Sequence, residues 1–62
     1  MEFDIPDMSC GHCVKVITQT IRQVDPTAQV SIDLPGKKVT VQTTQERAAM
    51  AAALTEAGYP TH

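Results

Sequence analysis

The chain has 62 residues, 42% hydrophobic and 19% charged, a composition typical of one small globular domain spanning residues 1–62. Five Lys and Arg against seven Asp and Glu give a net charge of −2, so the basic excess typical of nucleic-acid binders is missing. No apolar run approaches the roughly 20 residues that span a bilayer, and the acidic first residues are unlike a secretory signal. We therefore expect a soluble, cytoplasmic domain with no nucleic-acid partner and no membrane insertion.

The first half of the chain predicts a strand followed by a helix. Residues 2–6 alternate, with Phe3 and Ile5 on one side, which is typical of a half-buried strand. After a short loop, apolar residues recur at spacings of three and four, which predicts a helix from Cys13 to Val24. The residues predicted to form its buried side are Val14, Ile17, Ile21 and Val24.

Two further alternating segments, 28–34 and 38–43, are joined by Pro35-Gly36. They predict a β-hairpin, because Pro fixes the first central φ of a turn and Gly accepts a positive φ at the second. Its inward residues are predicted to be Ala28, Val30, Ile32, Leu34, Val39 and Val41.

The last part of the chain predicts a second helix. Thr43 followed three residues later by Glu46 matches a capping box, and the helix is expected to run to about Ala57. Gly58 is placed to end it in a left-handed conformation. The predicted buried residues are Met50, Ala53, Leu54 and Ala57. The order β-α-β-β-α favours an α+β sandwich, an antiparallel sheet with both helices on one face.

The residues that indicate chemistry are Cys10 and Cys13, where the loop becomes the first turn of the first helix, with Ser9, Cys10 or Gly11 as its N-cap. A bridge between residues so close would restrict the unfolded chain very little, so a chemical role is expected. Free N–H groups and the helix dipole favour thiolates there. Paired thiolates suit Cu(I) and Zn(II), and because zinc usually takes four ligands, two donors favour Cu(I).

Two alternatives use the same cysteines. Cys-Gly-His-Cys is also the active tetrapeptide of disulfide isomerases with the thioredoxin fold, so a small dithiol–disulfide oxidoreductase is the enzymatic alternative. That fold needs a longer chain with a strand and a helix before the motif strand, whereas one strand precedes Cys10 here. The other alternative keeps the fold and changes the ion to Hg(II), Zn(II) or Cd(II).

The motif Met8-Ser9-Cys10-Gly11-His12-Cys13, with the hairpin and the closing Gly58-Tyr59, resembles the heavy-metal-associated domain of bacterial copper chaperones and copper P-type ATPases. The resemblance covers Glu2 to Tyr59. It implies a ferredoxin-like βαββαβ sandwich, whose last strand is short or missing because three residues follow Tyr59. It also implies a copper chaperone without catalytic activity, in which Cys10 and Cys13 hold one Cu(I). The expected acceptor is a copper-transporting P-type ATPase or its soluble metal-binding domain, reached by ligand exchange, and a copper-bridged homodimer is a further expectation.

Two more residues receive roles from this resemblance, and a third, His12, receives one from its position between the cysteines. Met8 is expected to point inward beneath the metal loop. Tyr59 is expected beside the loop, where it shields the site or tunes the sulfurs, with packing against the second helix as the alternative. His12 is a candidate third ligand, with a solvated loop histidine as the alternative, and His62 receives no role.

Overall fold

The computed structural model describes residues 1–61, and His62 lies outside the described residues. The elements are β1 (Glu2–Asp4), α1 (Gly11–Val24), β2 (Gln29–Asp33), β3 (Lys38–Gln42) and α2 (Arg47–Glu56). The sheet is antiparallel with the order β1-β3-β2, and α1 packs against both α2 and β2. The predicted α+β sandwich is confirmed, with three strands in residues 1–61. Neither helix in this range is long and apolar enough to cross a membrane.

The core lies between the sheet and the helices. As the alternating pattern of the strands predicts, Phe3, Val39 and Val41 are buried there. In α1 the buried side is rotated from the prediction. Val14 and Val24 are half-buried, whereas the fully inward stripe is Cys13, Ile17 and Ile21. This rotation brings one of the two thiols to the rim of the core.

The capping box predicted for the second helix is wrong. The N-cap of α2 is Glu46, and no side-chain hydrogen bond caps it. The Thr43 hydroxyl instead donates to Asp25 Oδ2 at 2.5 Å and accepts the Gln45 N–H at 3.1 Å. That hydroxyl joins the loop to the end of α1, and the helix begins at Arg47.

The hairpin forms as predicted, but the residue with a positive φ is Lys37 (56°), not Gly36. The turn is closed by the Lys37 N–H, which donates to the Leu34 carbonyl at 3.1 Å. Lys37 takes the left-handed conformation at the last position of the four-residue loop, 34–37, that joins the paired residues Asp33 and Lys38. Its carbonyl accepts the Ile5 N–H at 2.9 Å, and its Nζ donates to the Pro6 carbonyl at 3.0 Å.

The strands are shorter than predicted. β1 ends at Asp4 instead of residue 6, since Pro6 lacks an N–H and the chain turns back there. β2 is one residue shorter at each end, and β3 ends at Gln42. β1 lies at one edge of the sheet, where Lys38 contacts Glu2 at 3.5 Å and Asp4 at 3.4 Å.

Candidate metal site

The loop between β1 and α1 presents Cys10 and Cys13 at one end of the molecule. A turn closed by the Met8 N–H to the Ile5 carbonyl (3.1 Å) sends the Met8 side chain into the core, where it is fully buried. The chain then extends through Cys10, the N-cap of α1, whose carbonyl accepts the Val14 N–H at 3.3 Å. Met8 therefore anchors the loop from below, as the resemblance implies.

The two thiols lie close together but differ in exposure. Cys10 Sγ and Cys13 Sγ are 3.0 Å apart, and neither forms a disulfide. Cys10 is exposed, whereas Cys13 in the first helical turn is only 7% exposed. As N-cap, Cys10 makes no side-chain hydrogen bond to a backbone N–H of the helix, and its thiol is hydrogen-bonded to the Cys13 thiol instead. The pair therefore consists of one sulfur fixed at the core and one open to an incoming ligand.

The surroundings of Cys13 favour its thiolate and lower its pKa from 9.0 to about 6. The largest cause is hydrogen bonding with the Cys10 thiol, followed by hydrogen bonding with the Tyr59 hydroxyl and the Ser9 backbone. Burial acts in the opposite direction, but more weakly. At neutral pH Cys13 is therefore largely ionised, as a soft metal ligand must be.

The backbone conformation at the C-terminal end of α2 positions Tyr59 near Cys13. Gly58 has a φ of 96°, as predicted, and its N–H donates to the Thr55 carbonyl at 3.0 Å. The Tyr59 N–H donates to the Leu54 carbonyl at 2.9 Å, which completes a Schellman motif. Hydrogen bonding with Cys13, helped by burial, raises the pKa of Tyr59. The surroundings thus favour a protonated Tyr59 hydroxyl together with an ionised Cys13 thiol.

The structure does not bring His12 to the sulfurs as a third ligand. His12 lies exposed on the first turn of α1. In residues 1–61, no group of three or more His, Cys, Asp and Glu side chains is arranged to hold a metal. Within a single chain the site thus offers the two sulfurs, and a role for His12 toward a metal shared with a second molecule stays a prediction.

Sequence reasoning missed Lys37 as a positioning residue. Through its carbonyl and its Nζ, Lys37 ties the hairpin turn to Ile5 and Pro6, the segment that leads into the metal loop. A local sequence pattern could not predict the bond between Lys37 and Pro6, because the two residues are 31 apart in the sequence. The sequence also left open which thiol has the lowered pKa. The one available signal was the spacing of Cys13, Ile17 and Ile21, four residues apart, which places Cys13 on the buried side of the helix.

Comparison with known proteins identifies the family of the chain. The profile of the heavy-metal-associated domain matches residues 2–60. The chain belongs to this family. A comparison with curated proteins found no significant match.

Among solved structures, a gold-binding protein is similar with 39% identity and a TM-score of 0.97, over 100% of this chain and 95% of the other. The copper chaperone Atx1 from Synechocystis PCC6803 has 27% identity and a TM-score of 0.97, over 100% of this chain and 98% of the other. Protein Atu1203 from Agrobacterium tumefaciens has 37% identity and a TM-score of 0.88, over 97% and 94%. The ferredoxin-like fold expected from the sequence is thereby confirmed.

Proposed function

We propose that this protein is a cytoplasmic copper chaperone that holds one Cu(I) between Cys10 and Cys13 and passes it on without catalysis. The observation that carries the proposal is the sulfur pair itself, 3.0 Å apart, with one sulfur exposed. Thiolates are the soft donors that select Cu(I), and two of them suit an ion that needs few ligands. The similarity to a copper chaperone supports copper as the cargo.

The difference in exposure suggests how the ion leaves. An acceptor thiolate approaches from the solvent side, where Gly11 has open space around it and Cys10 is exposed. Cys10 can swing away as the acceptor sulfur binds, while Cys13, held at the core, keeps the ion until a second acceptor sulfur arrives. The fitting acceptor is another accessible thiolate pair, such as that of a copper-transporting P-type ATPase or its soluble metal-binding domain. When copper is abundant, two copies bridged through one or more copper ions form the homodimer.

The experiment that tests copper binding is an anaerobic titration of the reduced protein with Cu(I) in competition with a chromophoric Cu(I) chelator. The expected result is one tightly held Cu(I) per chain that excess Zn(II) does not displace, because two sulfurs leave a zinc ion short of ligands. The matched control is the Cys10→Ser, Cys13→Ser double variant, which should leave all copper with the chelator. Displacement by Zn(II), or equal retention by the control, would overturn the proposal.

Transfer is tested separately. The copper-loaded protein is mixed with an isolated metal-binding domain of a copper ATPase, and copper arrival is followed over time. Ligand exchange predicts that the rate rises with acceptor concentration, since the acceptor sulfur enters before the ion is released. A rate independent of acceptor concentration would show dissociation first and would contradict the exchange route.

The second candidate function is a dithiol–disulfide oxidoreductase, which the lowered pKa of Cys13 favours. A thiolate that attacks a substrate disulfide must be accessible, however, and here the lowered pKa belongs to the buried sulfur. We expect reduction of glutathione disulfide by the metal-free protein to be no faster than by a small dithiol of similar pKa. A markedly faster reaction, lost in Cys10→Ser, would favour the enzyme.

Gold is the competing cargo that the comparisons raise. A gold-binding protein has a higher identity to this chain than the copper chaperone Atx1 does, 39% against 27%. Au(I) is, like Cu(I), a soft ion that two sulfurs satisfy. Repeating the competition titration with Au(I) against Cu(I) therefore decides the metal: the copper proposal requires that Cu(I) is retained at equal concentrations.

A further inference from the structure

We infer that the free edge of β2 pairs with the same edge of a second copy, giving a metal-independent dimer with a continuous six-stranded sheet. This surface lies along the side of the molecule and does not involve the sulfur pair. It differs from the copper-bridged dimer, because its contacts are backbone hydrogen bonds and aliphatic side chains.

The two outer strands of the sheet are protected to different degrees. β1 has three residues, Glu2–Asp4, of which two are acidic, and Pro6 follows shortly after. Arg47 Nη1 donates to the Glu2 carbonyl at 2.7 Å, and its guanidinium lies 4.4 Å from the centre of the Phe3 ring. Short length, charge and a covering side chain are the usual means of blocking an edge. β1 is therefore a poor site for strand addition.

β2 lacks these protections. It has five residues, Gln29–Asp33, with one charge at its end. On its core side Val30 and Ile32 are only half-buried, because β2 is the last strand on that side of the sheet. Half-exposed branched side chains on an unguarded edge are the features that favour pairing with another strand.

The register of the sheet shows which backbone groups of β2 are free. The Val41 N–H donates to the Met1 carbonyl at 2.7 Å, so Val41 faces β1, and by alternation Thr40 faces β2. Since Ser31 pairs with Thr40, the backbone groups of Ser31 point into the sheet. The N–H and C=O of Val30 and Ile32 therefore point outward. In the described part of the chain, no backbone group outside the ladder is bonded to them.

The sequence of β2 is complementary to itself when two copies run antiparallel about a two-fold axis at Ser31. This is the register in which all five residues of both strands pair. Val30 lies opposite Ile32 of the second copy and exchanges two hydrogen bonds with it, which makes four across the axis. On the polar face Asp33 lies opposite Gln29, so no like charges meet. Moving the axis to Asp33 would set two carboxylates opposite each other, which is unfavourable.

The matching continues just beyond the strand. In the centred register the small, buried Ala28 lies opposite the half-buried Leu34 of the second copy, so a small residue faces a large one. An interface of one strand pair is smaller than the roughly 1,600 Å² of stable complexes, so the dimer should be weak and form only at high concentration. We expect it between about 0.1 and 1 mM.

The experiment measures the translational diffusion and amide hydrogen exchange of the reduced, metal-free protein over that concentration range. Diffusion should slow toward the dimer value, and exchange at Val30 and Ile32 should slow with it. The Cys10→Ser, Cys13→Ser protein should behave identically, since the sulfurs are not involved. A monomer at every concentration, or protection at Glu2 and Asp4 instead, would overturn the inference.

A matched pair of variants tests the register. Ser31→Lys places two ammonium groups opposite each other at the axis and should abolish the concentration dependence. Thr40→Lys adds the same charge one strand inward, opposite Glu2 in β1, and should leave the dimer in place. Both positions are exposed in the monomer, and circular dichroism confirms that each variant is folded. A dimer that survives Ser31→Lys would refute this register and the inference with it.

Discussion

The two ends of α1 use polar side chains in opposite ways. At the C-terminal end, buried Asp25 accepts hydrogen bonds from the Thr27 N–H (3.0 Å), the Thr27 hydroxyl (2.7 Å) and the Thr43 hydroxyl (2.5 Å). At the N-terminal end, Cys10 makes no cap hydrogen bond to the helix and stays exposed. Donors of the protein itself therefore make three hydrogen bonds to the Asp25 carboxylate, whereas the Cys10 thiol remains accessible to solvent.

From this difference we expect one end of the helix to be structural and the other to be functional. The donors to Asp25 lower its pKa and join α1 to the loop before α2. The hydrogen bonds to Cys13 also lower a pKa, but the largest contribution comes from Cys10, whose thiol caps no backbone N–H of the helix and stays exposed. We expect changes at the first end to affect stability and changes at the second to affect metal binding.

The largest expected effect is at the sulfurs. Cys13→Ser replaces a soft donor with a hard one, so Cu(I) affinity should fall at least about a thousandfold, as measured by chelator competition. Cys10→Ser should cause a loss of the same order while leaving the metal-free protein folded, since Cys10 is exposed. Retention of tight binding in either variant would show that another residue holds the ion.

Tyr59→Phe removes a donor to the Cys13 thiolate, so the pKa of Cys13 should rise from about 6 toward 9.0. Ultraviolet absorbance of the thiolate, followed against pH in the metal-free protein, measures this shift. Loss of an outer partner of a metal ligand should weaken Cu(I) binding about tenfold at neutral pH. An unchanged titration would mean that Tyr59 only packs against α2.

The pKa of Cys13 also links stability to pH. Because its pKa is about 6 when folded and 9.0 as an ordinary thiol, the unfolded chain binds more protons between these values. This contribution is complete above about pH 9 and is lost as the pH falls through 6. Chemical denaturation of the reduced protein should therefore show stability rising across that window, and Cys13→Ser should remove this rise.

Thr43→Val tests the structural end. It removes a hydroxyl donor to a buried carboxylate and should lower the free energy of unfolding by about 1–2 kcal/mol, with Cu(I) affinity unchanged. Thr44→Val in the same loop is the control, because Thr44 is exposed and should change stability by less than about 0.5 kcal/mol. Equal losses in both variants, or a loss of copper affinity, would contradict the separation of the two ends.

The smallest expected effect is that of His12→Ala. His12 is exposed and belongs to no three-residue metal group within residues 1–61. Cu(I) affinity of the monomer should therefore change less than about twofold, whereas a third ligand would cost far more. A large loss confined to concentrated, copper-bridged protein would assign His12 to the shared ion.

Local patterns were enough to predict most of the fold. Alternation and spacing identified the three strands and two helices, and Gly58 was correctly predicted to take a left-handed conformation. The errors occurred where distant residues compete with a local motif. Thr43 fits a capping box by sequence, but its hydroxyl bonds to Asp25, 18 residues away. Gly36 fits the positive-φ position of a turn, but the positive φ belongs to Lys37, whose side chain bonds to the Pro6 carbonyl ahead of the loop that carries the cysteines.

The candidate site was predicted less completely than the fold. The spacing of Cys10 and Cys13 predicted a sulfur pair at a helix start, and the structure brings the two sulfurs within 3.0 Å. Which sulfur is ionised depends on the rotation of α1, which buries Cys13, and on Tyr59 reaching back from the end of α2. Both are tertiary features, so no local pattern in the sequence contains them.

The measurement that tests the account most directly is X-ray absorption at the copper edge of the dilute protein loaded with less than one equivalent of Cu(I). A phosphine reductant keeps added thiols out of the sample. We expect Cys10 and Cys13 to supply two sulfur neighbours of the copper ion, with no contribution from a protein nitrogen. Nitrogen scattering from a histidine ring, or the same spectrum from the Cys10→Ser, Cys13→Ser variant, would contradict it.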